Sequence, residues 1–160
     1  MKKLLVSTTI ALLLITVLIS TTFAAPAADG RALILKGSME ALETNAVNFP
    51  ILSVSASGAG NATQLGRFTV SYEVEVNLIT LAGIASAEFV AANGDSIYAS
   101  GVGQATETET PSVVTIIENY TITGGTGRFE GASGTITVDR VLDQTTGVTS
   151  GAISGTILLP

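Results

Sequence analysis

The sequence predicts an all-β fold: an antiparallel up-and-down β-barrel of about eight strands, preceded by a signal peptide. Three observations carry this. Apolar and polar residues alternate with a period of two along most of the chain, glycine-centred turn signals fall at short regular intervals, and no amphipathic helix appears after residue 30. Strands in short hairpin succession without helical crossovers leave a barrel or a sandwich, and closure into a barrel removes the edges through which so β-rich a chain would aggregate.

The clearest strand is 67–77. Phe68, Val70, Tyr72, Val74 and Val76 share one face, and Thr69, Ser71, Glu73, Glu75 and Asn77 share the other. Similar runs lie near 32–43, 50–57, 83–92, 95–101, 113–123, 133–142 and 149–159. Turn signals separate them at Gly58-Ala59-Gly60-Asn61, Ala82-Gly83, Asn93-Gly94-Asp95, Gly124-Gly125-Thr126-Gly127 and Thr145-Thr146-Gly147. Asn93-Gly94 reads as a two-residue hairpin turn, because both residue types tolerate positive φ. Thr106-Glu107-Thr108-Glu109-Thr110-Pro111 reads as a solvated acidic connection in which the proline halts the preceding strand.

The first residues carry a different signal. Lys2 and Lys3 form a basic head, an uncharged run extends from Leu4 to Phe23, and Thr22-Phe23-Ala24 offers a small-residue cleavage site. The expected organisation is a signal peptide over 1–24, a short linker over 25–30 and one barrel domain over 31–160, which places the protein outside the cytoplasm: secreted, periplasmic or at the cell surface. Cleavage after Ala27 and retention of the run as a membrane anchor are the alternatives. No membrane association is expected once the leader is removed.

From residue 25 onward the chain carries five basic residues against thirteen acidic ones, a net charge of −8. Such a surface repels phosphates and anionic lipid heads, so nucleic acid is not an expected partner. Cysteine and histidine are both absent. That excludes disulfide staples, the common zinc and copper sites, and the Ser-His-Asp and Cys-His nucleophile systems. No cofactor or metal is expected: Glu107 and Glu109 on one loop fall far short of a calcium cage. Chemistry, if any, falls to carboxylates, Tyr, Lys, Arg or bound water. The sequons at Asn61 and Asn119 are read as chance occurrences.

The stretch Gly124-Gly125-Thr126-Gly127-Arg128-Phe129-Glu130-Gly131-Ala132-Ser133-Gly134 has the glycine content of a phosphate cradle. Its spacing matches neither the dinucleotide fingerprint nor the P-loop, and no helix follows to hold an anion at its N-terminus. An architectural turn fits better. Gly124, Gly125, Gly127, Gly131 and Gly134 permit tight backbone, Phe129 plugs one end of the barrel, and Arg128 ties down a loop carbonyl or carboxylate.

The candidate binding residues lie elsewhere. Along 113–123 Glu118 shares a face with Val114, Ile116, Tyr120 and Ile122, so a carboxylate sits among apolar neighbours. Arg140 shares a face with Ile136, Val138 and Leu142, and Glu88 shares one with Ile84 and Val90. A Glu118–Arg140 or Glu88–Arg140 pair inside the barrel, with Tyr72 or Tyr120 nearby, would anchor a ligand cavity. The competing reading is a partly apolar outer face or a single structural ion pair, because a one-residue register slip inverts every face.

Three segments in order, Gly58-x-Gly60-x-Ala62-Thr63-x-Leu65-Gly66-Arg67-Phe68-Thr69, Ala92-Asn93-Gly94-Asp95 and Ile122-Thr123-Gly124-Gly125-Thr126-Gly127-Arg128-Phe129-x-Gly131-Ala132-x-Gly134, resemble a group of exported bacterial proteins. Their barrel is similar to that of plant allene oxide cyclases and the dirigent proteins. Gln64 stands where that group carries His, and no cyclase catalytic residue has a matching position. The resemblance implies the barrel and leaves activity open. Three functions follow as expectations: a binding module for a small apolar molecule or a surface partner; a structural protein with a filled core that oligomerises through its outer face; or a cyclase-like or isomerase-like enzyme acting on an apolar substrate.

Overall fold

The computed structural model describes residues 30–160. The expected leader at 1–24 and most of the linker lie outside the described residues. Eight strands follow one another: β1 (Arg31–Asn48), β2 (Ile51–Ala62), β3 (Gly66–Asn77), β4 (Ala82–Val90), β5 (Ser96–Glu107), β6 (Val113–Gly125), β7 (Ser133–Asp143) and β8 (Val148–Leu159). Every strand pairs antiparallel with the next, and β8 returns to pair with β1, so the sheet closes into a barrel. The up-and-down barrel predicted from the two-residue period is the observed fold.

The alternation places one face of each strand in the lumen. Val70, Tyr72 and Val74 of β3 are buried between the exposed Ser71, Glu73 and Glu75. Because the strands alternate in direction, the turns separate into two sets. The β2–β3, β4–β5 and β6–β7 connections lie at one end, and the β1–β2, β3–β4, β5–β6 and β7–β8 connections lie at the other.

The first end is packed shut. Phe68, Phe89, Phe129, Leu35, Leu65, Ile97 and Ile157 are all at most 1% exposed, and the rings of Phe68 and Phe89 meet at 6.0 Å in a tilted pair. Phe129 comes from a single 3-10 turn, Gly127–Phe129, that folds the β6–β7 connection over the lumen. Gly127 has φ +56°, and a Cβ there would run into the Asp95 carboxylate. That carboxylate is committed, because Asp95 Oδ2 accepts the Arg128 backbone N–H at 3.2 Å. The Arg128 guanidinium donates to the Gln64 carbonyl of the β2–β3 turn. Ala92 N–H, from the β4–β5 turn, donates to Leu65 O at 3.1 Å. The three sequence segments singled out above thus converge on one closed end.

Several expected turns are displaced. Gly58-Ala59-Gly60-Asn61 is part of β2 rather than a turn, and the chain reverses at 63–65. Gly58 and Gly60 are required there for close approach. A Cβ on Gly58 would strike Glu40 O and Ala41 of β1, and one on Gly60 would strike the Phe68 ring. Gly83 likewise lies within β4, and the preceding turn occupies 78–80. In the β4–β5 connection only Gly94 takes positive φ, +88°. Val90 pairs with Ser96, so the loop is longer than the two-residue hairpin that Asn93-Gly94 suggested. β5 runs on through Thr106 and Glu107, and the proline-bearing connection is confined to 108–112.

Candidate functional site: a cavity at the open end

The second end of the barrel is not filled. Gly83 of β4 pairs directly with Gly103 of β5, and Gly103 pairs in turn with Glu118 of β6. With Ala105 next on the same inward face of β5, these strands contribute almost no side-chain volume at this level. The space they leave is a cavity of about 170 Å³. Its wall is mostly aliphatic, including Leu52, Val54, Val74, Leu81, Ile116 and Leu142, and Glu43, Glu118 and Arg140 also line it. A cavity of about 150 Å³ holds one benzene molecule, which sets the scale of an occupant. This is smaller than the several hundred Å³ typical of sites for drug-sized ligands.

The polar residues form one network. Arg140 is 3% exposed. Its Nε and Nη2 donate to Glu118 Oε2 and Oε1 at 3.0 and 3.1 Å, a bidentate fork. Its Nη1 donates to Glu43 Oε1 and, at 3.0 Å, to Thr149 Oγ1. The Thr149 hydroxyl donates its own hydrogen bond to Val141 O at 3.0 Å. Tyr72 donates its hydroxyl to the same Glu43 Oε1 at 2.8 Å, and its ring stacks with the guanidinium, whose carbon lies 5.2 Å from the ring centroid. Among the described residues no buried side-chain N or O lacks a hydrogen-bond partner.

Protonation states follow from this environment. Burial, acting against the phenolate form, pushes Tyr72 far above the ordinary tyrosine range; the Arg140 charge opposes this, and the neighbouring Glu43 adds to the rise. Tyr120 is raised in the same way, first by burial and then by the Glu118 charge. Both phenols therefore stay protonated at ordinary pH. For Arg140, burial works against the charge, but the hydrogen bonds and charges of its carboxylate partners overcome it and hold the guanidinium protonated.

The structure brings Glu118, Arg140, Tyr72 and Tyr120 into one lumen. Glu88 stands apart. It lies on the outer face, cross-strand from Ser71 and Tyr98, and accepts a hydrogen bond from Ser96 Oγ at 2.8 Å. The apolar residues that suggested an inner face misled, since Ile84 is 66% exposed. A Glu88–Arg140 pair is thereby excluded. Glu43 and Thr149 were missed. Glu43 repeats the pattern that singled out Glu118, a carboxylate on the Met39 and Ala41 face, but its partner is 97 residues away in the chain. Arg128, Phe129 and the glycines around them lie at the closed end, away from this cavity.

No protein-family model matches the sequence, and no curated protein does either. Among solved structures, the chain is similar to the pterocarpan synthase dirigent protein GePTS1, with a TM-score of 0.62 and 10% sequence identity. The match covers 88% of this chain and 98% of that one. At that identity the likeness is one of fold, and the fold is a dirigent-like eight-stranded barrel.

Proposed function

We propose that this protein is an exported barrel, of the bacterial group its motifs resemble, that binds a small, largely apolar molecule in the cavity at its open end. The observation that carries the reading is the contrast between the two ends. One is sealed by three phenylalanines, while the other keeps about 170 Å³ clear above the Glu43–Arg140–Glu118 network. A core that served only to hold the barrel together would gain from filling that space, by roughly 24 cal/mol for each Å³. The basic head and apolar run at 2–23 support export, and the fold supports a role in holding or guiding a substrate.

Thermal unfolding in the presence of single-ring probes such as benzyl alcohol tests this. Stabilisation that saturates with concentration in the natural protein, and disappears in Gly103→Leu, is the expected result. Absence of any ring-dependent stabilisation would rule the cavity out as a binding site. A second reading, cyclisation or isomerisation of an apolar substrate, is favoured by the neighbour's being a pterocarpan synthase and by the Tyr72–Glu43–Arg140 chain beside the cavity. Glu118→Gln separates the two, because an enzyme loses turnover whereas a carrier keeps most of its binding.

A further inference from the structure

Charge at the mouth and floor of the cavity defines what kind of molecule it takes, and this inference rests on the cavity reading above. The ionisable groups lining it are Glu43, Glu107, Glu118 and Arg140, three carboxylates against one guanidinium. Arg140 is not available to a ligand's anion: Glu118 holds it by a bidentate fork, Glu43 and Thr149 take its Nη1 donors, and Tyr72 covers one face. Glu43 is only half used. Its Oε1 accepts two hydrogen bonds, from Tyr72 and Arg140, whereas its Oε2 accepts none from the described residues.

The wider surface points the same way. The other described cations are Arg31 and Lys36 early in β1, Arg67 at the start of β3 and Arg128 in the 3-10 turn, all toward the closed end. The turns and strand ends around the mouth carry Glu75, Glu107, Glu109 and Asp143 and no Lys or Arg. A cleft with low-dielectric walls and charges of one sign focuses its field on whatever enters. From this geometry we propose that the cavity selects a compact apolar amine, one ring or its aliphatic equivalent bearing a protonated nitrogen. The ring lies against the aliphatic wall and the ammonium donates to Glu43 Oε2. Carboxylates of the same size are rejected, because they would place an anion beside Glu43 and Glu107 with no free cation to meet it.

Isothermal titration of the barrel with benzylamine, benzyl alcohol and benzoate at neutral pH tests the selection with three probes of nearly equal shape. Benzylamine is expected to bind about tenfold more tightly than benzyl alcohol, as befits a charge-assisted hydrogen bond replacing a neutral one, and benzoate is expected not to bind. Glu43→Gln should bring benzylamine down to the affinity that benzyl alcohol shows for the same variant. If Glu43→Gln does not fold, Glu107→Gln at the mouth serves instead, with a two- to threefold loss expected for benzylamine alone. Binding of benzyl alcohol as tight as that of benzylamine, or any comparable binding of benzoate, overturns the amine selection and leaves the cavity reading standing. Failure of all three probes to bind brings down both.

Discussion

Arg140→Met removes the one cation of the lumen and leaves Glu43 and Glu118, each with a side chain only 4% exposed, facing one another across an apolar cavity. Four hydrogen bonds go with it, two to Glu118 and one each to Glu43 and Thr149. Removing one partner of a buried ion pair typically costs about 3–5 kcal/mol, because the charge left behind has neither water nor a counterion. At about 3–5 °C per kcal/mol for a domain of this size, the unfolding midpoint should fall by about 10–20 °C. Circular dichroism melts and urea titrations of the natural and variant proteins measure this directly. Replacing the whole network at once, with Glu43→Leu, Glu118→Leu, Arg140→Met and Tyr72→Phe, should leave stability within about 2 kcal/mol of the natural protein, since well-packed apolar groups replace a desolvated one. A loss below about 1 kcal/mol for Arg140→Met, or a fourfold variant less stable than the single one, would refute the argument that the carboxylates depend on Arg140.

Other consequences are smaller in scope. Gly103→Ala places a Cβ 2.8 Å from Glu118 Cγ, so it should cost about 1–3 kcal/mol in urea unfolding by overpacking and displace the carboxylate that grips Arg140. Phe129→Ala, at a side chain with no exposure, should cost about 3–5 kcal/mol and unseal the closed end, seen as faster amide exchange in the 63–65 and 91–95 turns. In a Tyr98→Phe background only Tyr72 and Tyr120 report phenolate absorbance at 295 nm. Because both are raised in the folded state, that signal should stay silent as pH climbs past about 10, the ordinary tyrosine value, and then appear together with unfolding. The sign follows from proton binding: above the unfolded value the unfolded chain holds fewer protons than the native one, so stability falls as pH rises.

The alternation of β3 could be read directly from the chain, because Phe68 to Val76 keep strict period two, and β6 follows the same period from Val114 to Ile122 except at Ile117 and Glu118. Glu118 and Arg140 followed from that pattern. Glu88 did not, because the outer face of β4 carries Ile84 and Val90, and local composition alone does not say which of two mixed faces is turned inward. Position along the barrel axis was likewise invisible. Gly83 looks like a turn signal in sequence, and only the register reveals that it stands opposite Gly103 and opens a cavity. Glu43 and Thr149 join the network through β1 and β8, whose meeting at Ala41 and Thr149 is a property of barrel closure rather than of either segment.

That closure also imposes a timetable on folding. Seven of the eight interstrand seams join consecutive strands through short turns, but the eighth sets Arg31 opposite Leu159. As the chain grows from its N-terminus, β1 has no second neighbour until residues 148–159 become available. Through that interval β1 and the latest strand both present unpaired backbone, a template for association with other chains. The lumen cannot be sealed from water, nor the Glu43–Arg140 bond drawn together, before the last strand arrives. Slow, sequence-distant closure of this kind is what topology associates with folding in milliseconds to seconds rather than microseconds. For this barrel, the rate at which β8 finds β1 governs how long a strand-rich chain stays open to its neighbours.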